Sequence, residues 1–371
     1  MRISNLTRAF AAYATLLSGS LYEGNTVRAQ ERPQIGKPTE LKPQNKGSVN
    51  DEIKKLIASK DVLRKYVREN VNDPIFVYGL TRSSFYDVEE SDKELARKNP
   101  DSLFATGVGE NSKTKITRED RAFVYKNPKT NYAIALASNS NFQITKEDRD
   151  FVRKNPESYL ARTLISNENY VIEPEDLKVI TANLDSAIVR GMHGKNFKID
   201  PELARNNPDT AYALLAARSK DFKLTDKDIK YARENPDSPF SAGVAYHPDF
   251  KITAADRKIA RENAGISWFT NAVTSRADYK LEPEDIKIAR EYLTGAFVYG
   301  VALNPNFKAE PLDVKLTREN VSHTFVFILG HPSYPLGLED LAVARKNPDK
   351  LFTQVFRDRL ADLIEEMSKG K

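Results

Sequence analysis

Adjacent carboxylates are the first residues in this sequence that could do chemistry. Glu119 with Asp120, Glu147 with Asp148 and Glu284 with Asp285 have the composition of an acid/base pair, one group giving a proton while the other takes one. A catalytic pair is needed once, whereas these recur at a fixed interval, each just after Thr or Glu-Pro, and so read as parts of repeated helix starts. Four histidines, His193, His247, His323 and His331, are scattered, and there is no cysteine. Disulfides, thiolate ligands and thiol nucleophiles are therefore excluded, and no histidine cluster suits a metal. His247 and His331 stand before Pro where Asn304 stands in another unit, so they replace a turn residue. With no phosphate loop, no G-x-S-x-G and no H-E-x-x-H, the sequence offers no catalytic, metal or cofactor-binding residue, and an enzyme is not expected.

The remaining candidates are ladders. Arg97, Arg205, Arg233, Arg261, Arg290 and Arg345 each stand two residues before a unit boundary, and an aromatic recurs at Phe142, Tyr170, Phe197, Phe222, Phe250, Tyr279, Phe307 and Tyr334. One arginine or ring per repeat along a face could read a polymer, but each type also has a local reason to be there. A cation suits the C-terminal end of a helix dipole, Asn at the boundary tolerates a left-handed stop, and an aromatic beside a hydrophobic staple belongs in a core.

The elements that must position them repeat every 28 residues or so. From Val71 the units end at Asn99, Asn127, Asn155, Asn183, Asn207, Asn235, Asn263, Tyr292, Asn320 and Asn347. The consensus P-D-S-x-F-x-x-G-V-A-x-N-P-x-F-K-I-T-x-E-D-x-x-x-A-R-x-N contains two short helices. Pro-Asp-Ser stops one helix and caps the next. A first helix then carries a large residue (Phe104, Tyr132, Phe240) and, a turn later, a small one (Gly107, Ala135, Gly243) that admits a close neighbour. After an Asn-Pro or His-Pro turn, Thr117, Thr145, Thr225 and Thr253 open capping boxes closed by Asp, while Pro174 and Pro283 start the second helix elsewhere. Helices of roughly ten residues do not stand alone. Stacked, they make an all-α fold, an α-solenoid of about ten two-helix repeats, expected to extend roughly 80–100 Å if helices lie ~8–10 Å apart.

The chain divides into a leader at 1–29, a Pro-, Lys- and Gln-rich linker at 30–49, N-terminal capping helices at 50–70, repeats at 71–347 and a C-terminal capping helix at 348–371. In that last helix Arg357, Asp358, Asp362, Glu365 and Glu366 are expected to face water. The leader has a basic start at Arg2 and Arg8, an apolar run and a small-residue Val27-Arg28-Ala29 site, which reads as a secretory signal and implies a secreted or cell-envelope protein, with a cytoplasmic one as the alternative. Of 57 Lys and Arg against 52 Asp and Glu, the leader holds three and one, so the remainder is only mildly basic and mixed along its length.

At "GVAYHPDFKITAADRKIAREN" and "GVALNPNFKAEPLDVKLTREN" the V-A-x-N-P pattern followed by a second short helix resembles leucine-rich variant repeats, a family whose units form a right-handed superhelix. The resemblance implies an architecture and no functional residue. Function is expected to be that of a non-enzymatic scaffold binding a protein or peptide, with nucleic acid or another polyanion as the alternative. The irregular unit Leu184–Asn207 has 24 residues, a shortened second helix, and a notch bordered by Arg190, His193, Lys195 and Arg205, the candidate ligand-binding residues.

Overall fold

A computed structural model describes residues 48–265 and 267–369; the leader and all but the end of the linker lie outside them. Two helices, α1 (Val49–Leu56) and α2 (Lys60–Glu69), precede the repeats. Odd-numbered helices are then the first of each pair: α3 (Phe76–Arg82), α5 (Leu103–Glu110), α7 (Asn131–Ser138), α9 (Tyr159–Ser166), α11 (Ala187–Gly191), α13 (Ala211–Ala217), α15 (Pro239–Tyr246), α17 (Trp268–Thr274) and α19 (Ala296–Leu303). Even-numbered helices are the second: α4 (Glu90–Lys98), α6 (Arg118–Lys126), α8 (Lys146–Lys154), α10 (Pro174–Ala182), α12 (Pro201–Asn206), α14 (Asp226–Glu234), α16 (Ala254–Glu262), α18 (Pro283–Tyr292) and α20 (Pro311–Glu319). The last unit is one residue shorter within its first helix, and that stretch winds more tightly as a 3₁₀ helix, η1 (Thr324–Gly330), before α21 (Leu338–Lys346) and the long α22 (Leu351–Lys369).

Local signals act as the sequence demands. Thr117 Oγ1 accepts from the Asp120 amide at 3.2 Å while Asp120 accepts from the Thr117 amide at 2.9 Å, and the same reciprocal pair forms at Thr145 and Thr225; at Thr253 the Asp256 carboxylate accepts from both the amide and the hydroxyl. Pro174, Pro283 and Pro311 occupy the first helical position. The boundary asparagines differ from expectation. They are not left-handed: Asn127, Asn235 and Asn263 have φ between −129° and −109°. Each instead donates its side-chain amide to the carbonyl four residues back, as Asn263 does to Ile259 at 2.8 Å, so the side chain rather than a reversed backbone satisfies the orphan carbonyl. The one left-handed stop outside glycine among the described residues is Leu293, after the unit that ends in Tyr292 and so has no Asn to do this.

The first helices pack side by side from α3 to α19, then onto η1 and α22, and α22 packs back onto α3. The array is thus a closed circuit of eleven helices among the described residues, not the elongated stack expected. These helices are apolar and tightly spaced while the second helices hardly touch one another, so the first helices form the inner layer and the charged second helices the outer. Tight spacing comes from small residues. A Cβ on Gly107, Gly191, Gly243 or Gly300 would stand within about 3 Å of a backbone carbonyl in the first turn of the preceding inner helix: Tyr78, Arg162, Leu214 and Asn271 in turn.

The seam reuses this device in a shifted register. Gly79 of α3 lies against Ala361 and Ile364 of α22, seven residues further along than the equivalent contact elsewhere. Seven residues are close to two turns, so the same helix face is presented, and the circuit closes with a step of about 10.5 Å along the helix axes. The 19 residues of α22, against seven or eight in most inner helices, supply that reach. Consequently, of the five polar residues expected to face water on α22, Asp358 and Glu366 remain exposed while the other three engage the start of the array. Glu365 accepts from the Ser84 amide at 2.8 Å, Arg357 donates to the Pro74 carbonyl at 3.4 Å, and Asp362 lies 3.9 Å from Arg82.

Two polar ladders lock consecutive units. On the outer layer, the arginine ending one second helix grips the capping aspartate of the next: Arg153–Asp176 at 2.7 Å, Arg233–Asp256 at 2.8 Å, Arg290–Asp313 at 2.7 Å. These aspartates are fully buried, so the arginine is their counter-charge as well as a dipole complement. Where the aromatic is Tyr, its hydroxyl donates to the same carboxylate, as Tyr279 does to Asp285 at 3.0 Å. The aromatic ladder is core, except Phe197 in the irregular unit, which is half-buried. In the turns, buried Asn304 donates to the Thr274, Arg276 and Tyr279 carbonyls at 2.7, 3.0 and 2.9 Å, and Asn111, seven units earlier, does the same to the Thr81, Ser83 and Tyr86 carbonyls.

Candidate functional site

The inner face of the circuit is where the fold leaves side chains without structural duty. Each inner helix buries most of its positions against the two neighbouring inner helices and the outer layer; in α5, α7 and α9 the positions left accessible are the first, fourth and eighth residues. In α5 these are Leu103, Thr106 and Glu110, in α7 Asn131, Ile134 and Ser138, and in α9 Tyr159, Arg162 and Ser166. That spacing is one stripe of a helix. With neighbours on both flanks and the outer layer behind, the stripe faces the interior of the ring.

The stripe is chemically uneven around the circuit. Near the seam it is acidic and densely paired. Arg82 lies 3.3 Å from Glu110, Tyr78 donates to Glu110 at 2.9 Å, and Asp358 and Asp362 stand beside them. Asp358 remains accessible to solvent, yet protein encircles it, and the loss of surrounding water together with Glu110 and Asp362 pushes its carboxyl up to about 6 against the pull of Arg357 and Arg82.

From α15 to η1 the stripe is aromatic and largely buried. Tyr299 and Phe327 meet edge to face at 4.8 Å between centroids, and Ala242 and Asn271 occupy the same row. The Asn271 side-chain oxygen is buried with no hydrogen-bond donor, as is the Thr270 hydroxyl beside it. An unmade hydrogen bond of this kind costs roughly 1–3 kcal/mol.

From α9 to α13 the stripe is basic. Arg162 and Arg190 lie on α9 and α11, Arg218 directly follows α13, and all three are half-buried. Burial pulls the Arg162 and Arg218 guanidiniums below their ordinary range, and at Arg162 the like charge of Arg190 adds to it. Arg218 donates to His193 Nε2; a guanidinium has no lone pair to offer, so Nε2 must be the acceptor and the imidazole neutral. Burial first and Arg218 second bring His193 down to about 4. The Arg162 guanidinium lies 5.9 Å from the Tyr159 ring centroid and Arg218 lies 5.4 Å from that of Tyr246.

Of the four residues expected to border a notch, the structure brings Arg190 and His193 to this basic arc and assigns the other two elsewhere. Lys195 takes the place of the turn asparagine, donating to the Asn167 and Tyr170 carbonyls, the latter at 2.9 Å. Arg205 is an outer-ladder residue, gripping Asp228 at 2.9 Å. The second helix of this unit, α12, is shortened to six residues as expected. Sequence reasoning missed Arg162 and Arg218. Their signal was present: positions 103, 106 and 110 are among those the consensus leaves open within the first helix, and they are the inner stripe.

His247 is buried in a turn, with Nε2 2.9 Å from the Phe222 carbonyl, in the asparagine role inferred for it. Among the described residues no three His, Asp or Glu side chains are placed to hold a metal ion, and no helix is long and apolar enough to cross a membrane. No protein-family model matches this sequence, and no curated protein or solved structure matches it.

Proposed function

We propose that this chain is a non-enzymatic binding scaffold whose inner face receives a segment of a protein or peptide partner. The observation that carries the reading is the division of labour among side chains. The outer arginines, turn asparagines and buried aromatics are consumed by the ladders, whereas the inner stripe holds charged, aromatic and unsatisfied polar groups that the repeats do not need. The likeness of the turns to leucine-rich variant repeats agrees with a scaffold role. The signal-like composition of the leader supports a role outside the cytoplasm.

The absence of cysteine from the sequence gives a clean test. Single cysteines are introduced at Thr106 on the inner stripe of α5 and at Lys230 on the outer helix α14, and peptides are selected from a random display library on the wild-type protein. Bound peptides should slow maleimide labelling at position 106 at least tenfold and leave position 230 unaffected. Equal labelling at 106 in the presence and absence of every selected peptide overturns the reading.

A further inference from the structure

The junction between the units of α9–α10 and α11–α12 departs from the others in two ways at once. On the outer layer the Arg–Asp rung is missing entirely: Thr181 stands where the arginine belongs and Leu203 where the aspartate belongs. Loss of both is physically coherent, because either alone would leave a charge buried or unpaired. On the inner layer the same junction gains two like charges. Gly191 brings α11 so close to the Arg162 carbonyl that a Cβ there would stand 2.5 Å from it, which forces Arg162 and Arg190 into each other's field. One helix on, Arg218 donates to His193, three residues beyond Arg190 in the chain. Among the described residues none of the three arginines has a carboxylate within ion-pair distance, although nearly every other half-buried arginine in the ring has one or is spent on backbone carbonyls. A junction with no electrostatic clamp and added repulsion is short of one thing, an anion.

We propose that Arg162, Arg190 and Arg218, braced by His193, Tyr159 and Tyr246, form a binding site for an oxyanion group, carboxylate or phosphoryl, on the inner face of the ring. Guanidinium forks suit both groups, since each offers coplanar oxygens to paired N–H donors. Tyr159 and Tyr246 lie against two of the guanidiniums and limit their rotation, and the His193 bond fixes Arg218 further, so little ordering remains when the anion arrives. The bound group supplies the counter-charge the junction lacks and bridges three consecutive repeats. This deepens the inner-face reading by naming the chemistry of one part of the occupant, but a small anion can bind whether or not a peptide does.

The test uses the full chain with inorganic pyrophosphate and with a hexaglutamate peptide as probes, measured by titration calorimetry and thermal shift at ~0.15 M salt. The wild type should bind at least one probe and melt higher in its presence. R162Q/R190Q should weaken that probe tenfold or more, while the exposed outer-layer variant K230Q stays within twofold of wild type. The single variant R190Q should melt no lower than wild type without probe, because a repulsive partner has been removed, yet lose most of the probe-induced rise. Preference for pyrophosphate assigns the natural group as phosphoryl, and preference for hexaglutamate assigns it as a carboxylate of an acidic segment. The site is refuted if the wild type binds neither probe, or if R162Q/R190Q binds as well as wild type. Either outcome leaves the cysteine-protection test of the inner face standing on its own.

Discussion

Cutting one outer rung measures how far the ring depends on cross-repeat ion pairs. Asp256 is fully buried and accepts four hydrogen bonds: from the Thr253 amide at 2.8 Å, the Thr253 hydroxyl at 2.6 Å, and Arg233 Nε and Nη2 at 2.8 and 3.0 Å. Arg233→Ala leaves that carboxylate buried with its cap donors alone. Breaking a buried pair from one side costs about 3–5 kcal/mol, and the surviving Thr253 bonds place this case near the lower end. Asp256→Ala removes a cap, about 1 kcal/mol, and strands a guanidinium that, at 32% side-chain exposure, can turn towards water, for a total of about 2–3 kcal/mol. The double variant has no stranded charge, so it should cost about 3 kcal/mol rather than the sum of about 5–6, a coupling of about 2–3 kcal/mol. Urea denaturation followed by far-ultraviolet circular dichroism reads all four proteins. A matched cycle at Thr181 and Leu203, where the rung is absent, should be additive within about 0.5 kcal/mol. Additivity at Arg233 and Asp256 would refute the claim that the rungs bind repeat to repeat.

Three further outcomes are expected. Gly79→Val places a branched side chain where Ala361 and Ile364 already stand 2.9–3.3 Å from a Cβ, so it should part the seam: the radius of gyration by small-angle scattering should rise while helicity stays within a tenth of wild type. Asn304→Leu strands three carbonyls and should cost about 2–4 kcal/mol in urea denaturation, whereas Asn304→His, the natural substitute seen at His247, should recover at least half of that. His193 is held down to about 4 in the folded protein against about 6.5 unfolded, so the unfolded chain takes up a proton that the native state refuses, and its share of stability is lost as pH falls from about 6.5 towards 4. Asp358, raised to about 6, works in the opposite sense below that pH. Stability curves of H193Q and D358N should therefore depart from wild type in opposite directions between pH 4 and 6; departure in the same direction would contradict the assignment.

Repetition made the local structure legible. Pro-Asp-Ser, the Thr–Asp boxes and the Glu-Pro starts are short-range signals whose partners lie three residues away, so helix boundaries followed from them directly. Long-range consequences were harder to read. Arg233 and Asp256 each have a sufficient local reason, a dipole and a cap, and nothing in either motif announces that the two meet across 23 residues. The boundary asparagines were misread for a similar reason, because Asn serves a left-handed stop and a side-chain bond to the carbonyl four back equally well. Ring closure left no local mark at all: it depends on a small accumulated rotation per repeat, and on Gly79 resembling Gly107 at a contact 285 residues further along the chain. The inner stripe fell between these cases, visible as consensus positions left open but interpretable only once the inner direction was known.

The seam sets this chain apart kinetically. Nearly every junction joins residues about 25–30 apart, whereas Ser84 meets Glu365 across 281. Local contacts of that kind form on the fast side of folding rates, and the single distant one carries a loop-closure entropy that the others do not. Folding should accordingly divide into rapid growth of an open helical strip and a later, separate docking of α22 onto α3. A linear strip of nearest-neighbour units frays from its two ends; once the circle is shut there is no end to fray from, and every repeat is guarded on both sides. Amide hydrogens in α3 and α22 should then exchange as slowly as those in α13 at the opposite side of the circle, and the loss of one noncovalent contact should restore two fraying ends at once.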